Sequence, residues 1–97
     1  MNHVMQSEPV RELIQAILML KSEQEVENYL MDICTVNEIA TLAQRQQVAF
    51  LLRDNLTYNE IEEKTGASTA TISRVKRSLV QGGAGYEAAH KRLKGEQ

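Results

Sequence analysis

Residues 57–79, TYNEIEEKTGASTATISRVKRSL, predict two short helices joined by a tight glycine turn. Thr57 and Glu60 have capping-box spacing, so the first helix begins directly after Thr57. It cannot run far beyond Lys64, because Gly66 supplies the left-handed backbone conformation that ends a helix. Two short helices around such a turn are the sequence form of a helix-turn-helix.

The second helix is predicted from about Ala70 to Leu79, with Ser68 or Thr69 as its N-cap. The residues expected to pack inside are Ile61, Ala67, Ile72, Val75 and Leu79. Those expected outside are Thr69, Ser73, Arg74, Lys76 and Arg77. This outer face suits a recognition helix, because small residues approach base edges, hydroxyls bond bases or phosphates, and arginines grip guanine or phosphate. The alternative is an ordinary helical hairpin with solvated charges.

Glu62 departs from the usual helix-turn-helix pattern. The position four residues before the turn glycine commonly holds a small side chain, and here it holds a carboxylate. We expect that carboxylate to point outward.

The net charge of −2 is an average over two unlike parts of the chain. Residues 1–64 hold five Lys/Arg against eleven Asp/Glu, whereas residues 65–97 hold six against two. Phosphate attraction depends on the local field, so a basic C-terminal third on an acidic body can still bind DNA.

The rest of the chain predicts further amphipathic helices and no β-strand. Apolar residues recur with helical spacing after Pro9, after the capping pair Ser22 and Glu25, and after a third pair, Thr35 and Glu38. Residues 81–85 are predicted as a flexible break before a last helix over 86–93. We therefore predict an all-α fold of six short helices in a single domain over residues 1–97, with residues 1–7 mobile and the helix-turn-helix at 57–79.

Other functional classes find little support in the sequence. Cys34, the single cysteine, lies on an apolar stripe and is interpreted as a core thiol. His3 and His90 have no nearby catalytic constellation, so we predict no enzyme, no catalytic residue, no metal site and no cofactor. We expect no signal peptide and no membrane association, since the longest apolar run, residues 16–20, is too short to cross a bilayer. The expected location is the cytoplasm.

The chain resembles the Trp repressor superfamily, and most closely its Trp-repressor-like bacterial branch. The resemblance lies in LAQR at residues 42–45, LLR at 51–53 and, above all, TGASTATISR at 65–74. It covers about residues 10–94, and its specific motif is confined to 42–79.

The resemblance implies an intertwined all-helical homodimer with two helix-turn-helix heads on double-stranded DNA. It places Thr69, Ala70 and Ser73 against bases, and Ser68, Lys64 and Arg77 near phosphates. Together with the outer face, the predicted DNA-binding set is Lys64, Ser68, Thr69, Ala70, Thr71, Ser73, Arg74 and Arg77. The apolar stripes of the first two helices also favour a dimer, because a monomer of this size leaves some of that surface in water.

The resemblance also suggests a ligand pocket at Arg45, Thr71, Arg74 and Val75. The tryptophan repressor has glycine where this chain has Val75, and a β-branched side chain fills the space that an indole ring needs. The sequence thus predicts a homodimeric, sequence-specific transcriptional regulator that does not require tryptophan, its effector unknown. The alternatives are a helical module that docks a protein partner, or a tryptophan-responsive repressor.

Overall fold

The structure, a computed structural model, describes residues 2–95, which form seven α-helices and no β-strand. The helices are α1 (Asn2–Gln6), α2 (Glu8–Met19), α3 (Glu23–Ile33), α4 (Val36–Arg53), α5 (Tyr58–Thr65), α6 (Thr69–Gln81) and α7 (Ala84–Leu93). The all-α prediction is confirmed. The chain divides into two compact units, residues 1–36 and 37–97, which are described separately. A single domain over residues 1–97 stays a prediction.

Six helices were predicted, and the seventh is α1, which lies in a segment that the sequence predicted to be mobile. The N–H and the hydroxyl of Ser7 both donate to the carbonyl of Val4, at 3.2 and 2.7 Å, and close the end of this helix. The sequence predicted no helix over residues 2–6, because five residues are too few to show a helical period. That residues 1–7 are mobile stays a prediction. Met1 lies outside the described residues.

In the first unit, α2 and α3 begin at the predicted signals. Pro9 stands in the first turn of α2, and the Ser22 hydroxyl accepts from the N–H of Glu25 at 3.1 Å. The Glu25 carboxylate accepts from the N–H of Lys21 rather than completing the capping box with Ser22. Although the apolar stripes are present, neither α2 nor α3 buries a single residue.

The second unit has a small aliphatic core. Its buried residues are Val48, Ala49, Ile61, Ala67, Ile72 and Val75. They come from α4, α5, the turn and α6, and Leu79 and Tyr86 pack against them with part of their surface exposed. This core orients the two helices of the helix-turn-helix against the end of α4.

The break between the last two helices of the second unit is shorter than the sequence predicted. Gly82 and Gly83 separate α6 from α7, which already begins at Ala84. In the described part of the chain, no helix is long and apolar enough to cross a bilayer.

Candidate nucleic-acid interface

The turn of the helix-turn-helix is held by its own side chains. Gly66 ends α5 with φ 73°, and its N–H donates to the carbonyl of Glu62 at 2.9 Å. The Thr65 hydroxyl donates to the carbonyl of Ile61 at 2.7 Å and accepts from the N–H of Ala67 at 3.0 Å. The bonds to the Glu62 carbonyl and from the Ala67 N–H satisfy backbone groups that have no partner within a helix.

Both helices of the helix-turn-helix begin at caps that the sequence predicted. Thr57 and Glu60 form a complete capping box, and the bonds from the Thr57 backbone and side chain hold the pKa of Glu60 below its ordinary value. Ser68 is the N-cap of α6, its hydroxyl oxygen accepting from the N–H of Thr71 at 3.1 Å. The Ser68 hydroxyl also lies 3.1 Å from that of Thr71, to which it donates.

The exposed surface of α6 and of the end of α5 is polar and basic. Of the predicted DNA-binding set, Lys64, Ser68, Thr69, Ala70, Arg74 and Arg77 are exposed, whereas Thr71 and Ser73 are half-buried. Ile72 and Val75 lie on the opposite, buried side of the same helix. The Lys76 ammonium lies 5.8 Å from the centre of the Tyr58 ring, within cation–π range, and links the exposed face of α6 to the start of α5.

Glu62 joins α5 to the first residue of α6. Its carboxylate accepts a hydrogen bond from the hydroxyl of Thr69, and its side chain is half-buried rather than fully exposed. The sequence showed the unusual residue but not its partner, because the bond depends on how the two helices cross.

The four residues of the predicted ligand pocket lie around one cavity of about 450 Å³. Its lining is Thr41, Gln44, Arg45, Thr71, Arg74, Val75, Ser78 and Tyr86. Polar and charged side chains predominate, and only Val75 and Tyr86 offer much apolar surface. The cavity can pair well with a charged group and poorly with a large flat ring.

A partly buried polar pair near the end of α4 was not predicted from the sequence. His90, on α7, is 6% exposed, and its Nε2 lies 3.0 Å from Oδ1 of Asp54. A carboxylate only accepts, so Nε2 carries the hydrogen and donates. The two residues are 36 positions apart, and no local pattern relates them.

The comparisons with known proteins agree with this geometry. The profile of the family described as Trp repressor protein matches residues 8–94. The chain belongs to the Trp repressor family. The resemblance seen in the sequence is therefore confirmed.

Several known proteins are similar to this chain over most of its length. The uncharacterized protein YerC of Bacillus subtilis (strain 168) is 53% identical over 83 residues, which is 86% of this chain and 80% of that protein. A TrpR-like protein from Eubacterium eligens is 49% identical, with a TM-score of 0.91 over 99% of each chain. A Staphylococcus aureus protein proposed to be a Trp repressor is 44% identical, with a TM-score of 0.89 over 96% of this chain and 93% of that one.

Membership of the Trp repressor family establishes the broad class of the protein. Its members are DNA-binding regulators rather than enzymes, and this chain has the fold of such a regulator.

Proposed function

We propose that this protein is a sequence-specific transcriptional regulator that binds double-stranded DNA as a homodimer in the cytoplasm and does not require tryptophan. The observation that carries the proposal is the exposed surface of the helix-turn-helix. Thr69 and Ala70 are exposed at the start of α6, and the exposed cations are Lys64 near the end of α5 and Arg74 and Arg77 farther along α6. The small residues allow close approach to base edges, and the cations pair with phosphates on either side.

The distribution of charge supports contact with DNA through the second unit. The basic residues of α6 and α7 belong to the C-terminal third, which carries six Lys/Arg against two Asp/Glu. Phosphates attract this surface, while the acidic remainder of the chain repels them, so the protein is oriented as it approaches.

The exposure of the first unit supports a homodimer. Leu18 on α2 and Met31 on α3 are 65% and 64% exposed, and neither helix buries a residue within its own chain. A two-fold dimer covers such surface, and its two recognition helices can reach half-sites ~34 Å apart.

The lining of the cavity at Arg45 supports independence from tryptophan. Val75 occupies the position at which the tryptophan repressor has glycine, and it is held in the core with only 3% of its surface exposed. Six of the eight lining residues are polar or charged, which leaves an indole ring few apolar partners.

The decisive experiment is a titration of genomic DNA fragments over a range of salt concentrations. A sequence-specific regulator keeps a preferred fragment at ~0.15 M salt, because base contacts survive when counterion release contributes less. Loss of all preference at that salt contradicts the proposal.

Substitutions on α6 separate phosphate contacts from base contacts. Arg77→Ala is expected to weaken binding to all sequences and to reduce the salt dependence, whereas Thr69→Ala or Ser73→Ala changes which sequence is preferred. If neither group has an effect, α6 is not the recognition helix.

Calorimetric titration with L-tryptophan tests the ligand prediction. We expect no binding heat at millimolar tryptophan and the same DNA affinity with and without it. Saturable binding that strengthens DNA affinity identifies the protein instead as a tryptophan-responsive repressor.

A second candidate is a helical module whose helix-turn-helix docks a protein partner. The Glu62 carboxylate beside Thr69 favours it, because a negative charge at the start of a recognition helix opposes phosphate contact. This candidate requires that the protein shows no retention on DNA even at low salt.

A further inference from the structure

We propose that Glu62 determines base specificity by fixing the hydroxyl of Thr69 as a hydrogen-bond acceptor. The selected base then presents an amino group in the major groove, which means cytosine or adenine. The inference rests on the proposed function, since it assigns a role within the DNA contact made by α6.

The pair lies at the start of the proposed recognition helix. Thr69 is the first residue of α6 and is exposed, and its hydroxyl donates to the carboxylate of Glu62 on α5. Glu62 is half-buried, so the neighbouring surface restricts where its carboxylate can move. The pair therefore has one defined direction of hydrogen bonding.

That direction decides what Thr69 can recognise. A threonine hydroxyl has one hydrogen to donate and two lone pairs that accept. The Glu62 carboxylate only accepts, so it takes the single hydrogen and leaves lone pairs toward the outside. Without Glu62, the Thr69 hydroxyl can rotate, so that it either donates a hydrogen bond to the base or accepts one from it.

The major groove offers complementary groups at two of the four bases. Cytosine presents the N4 amino group and adenine the N6 amino group, whereas guanine O6 and thymine O4 are acceptors. Both the oriented Thr69 oxygen and the Glu62 carboxylate are matched by an amino group and repelled by a carbonyl oxygen. Each member of the pair thus selects in the same direction.

The same carboxylate lowers affinity for all other DNA. A negative charge beside the phosphates reduces the electrostatic attraction that non-specific binding requires. Removing it is expected to raise affinity for unrelated sequences by about 3- to 10-fold at low salt. Glu62 therefore adds discrimination at the expense of general affinity.

The test compares four full-length proteins by selection from randomised duplexes at ~0.15 M salt. They are the wild type, Glu62→Ala, Thr69→Val, which keeps the side-chain shape without the hydroxyl, and Glu63→Ala. Glu63 is the exposed neighbour on α5 and controls for loss of one negative charge. Urea unfolding establishes that each variant is folded before it is compared.

We expect the wild type to select cytosine or adenine at one position of each half-site. Glu62→Ala and Thr69→Val should both lose this preference, about 5- to 20-fold, while the other positions keep theirs. Glu63→Ala should keep it. Replacing the selected base by its analogue without the amino group, purine for adenine or pyrimidin-2-one for cytosine, should weaken wild-type binding and affect Glu62→Ala much less.

Two kinds of failure are distinguishable. If the wild type shows no sequence preference, the proposed DNA-binding function fails and this inference fails with it. If the wild type is selective, but Thr69→Val relaxes a guanine or thymine position or Glu62→Ala relaxes none, only the inference on Glu62 is overturned.

Discussion

At the scale of single residues, His90 shows how one buried side chain connects distant parts of the second unit. Its ring donates to Asp54 and meets the Phe50 ring edge-on, with centroids 5.0 Å apart and planes at 77°. Lys94 adds a contact to the second Asp54 oxygen at 3.5 Å. These contacts hold α7 against the end of α4.

This cluster predicts that the protein loses stability as the pH falls into the acid range. The hydrogen bond from His90, followed by the positive charge of Lys94, holds the pKa of Asp54 below its ordinary value against the opposing effect of desolvation. Because the folded-state pKa is depressed, the stabilisation is present above the unfolded-state pKa of ~3.9 and is lost as pH falls through the folded-state value. Asp54→Asn should therefore lower the urea midpoint near pH 6, and its difference from the wild type should shrink toward pH ~3.

Asp32→Asn is the matched control, because it makes the same chemical change at an exposed carboxyl of α3. A difference between wild type and Asp54→Asn that stays constant down to pH ~3 shows that the charge of Asp54 does not stabilise the fold.

At the scale of helices, local sequence signals predicted most starts and ends. Thr57, Ser68 and Gly66 act as caps because each satisfies backbone groups within a few residues, and such bonds need no distant partner. α6 nevertheless extends to Gln81, beyond the predicted end at Leu79.

Two substitutions of Ser68 separate its role as a cap from its position near DNA. Ser68→Ala removes the acceptor for the Thr71 N–H and should reduce the free energy of unfolding by about 1 kcal/mol. Ser68→Asp keeps an N-cap acceptor and should retain near wild-type stability, while its negative charge weakens DNA binding. Urea unfolding and DNA titration measure the two effects, and wild-type DNA affinity in Ser68→Asp places Ser68 away from the phosphates.

Gly66→Ala tests the turn itself. No atom beyond the two adjacent residues lies within 4 Å of the added methyl group, so the cost arises only from the left-handed conformation at φ 73°. We expect a loss of about 1 kcal/mol in the free energy of unfolding, and a smaller loss for Gly66→Asn. Gly85→Ala, inside α7 and also in open space, is the control and should stabilise the protein because alanine favours a helix.

At the scale of the whole molecule, the two units differ in how they bury apolar surface. The second unit has a core in which Val48, Ile61 and Ile72 have no exposed surface. In the first unit, α2 and α3 have apolar stripes but contain no fully buried residue. In the proposed homodimer, the partner chain covers these apolar stripes.

Leu18→Glu tests this proposal. Leu18 is 65% exposed, so a monomer should tolerate the glutamate, whereas a dimer that buries this stripe should dissociate or lose stability. We expect sedimentation to show a dimer for the wild type and a shift toward monomer for Leu18→Glu at micromolar concentration, with circular dichroism reporting helix content. Gln15→Glu places the same charge on α2 outside the apolar stripe and should leave the dimer intact; equal behaviour of the two variants contradicts the proposed interface.

The sequence by itself determined the helical class, most caps, the turn at Gly66 and the family, since these depend on residues that are neighbours along the chain. It also placed Ile61, Ile72 and Val75 inside, because helical periodicity reports which face is apolar. Only the tertiary structure decided that Glu62 bonds Thr69 and that His90 meets Asp54. These contacts join residues that are distant along the chain or lie on different helices, and their geometry follows from helix crossing and packing, which no local spacing encodes.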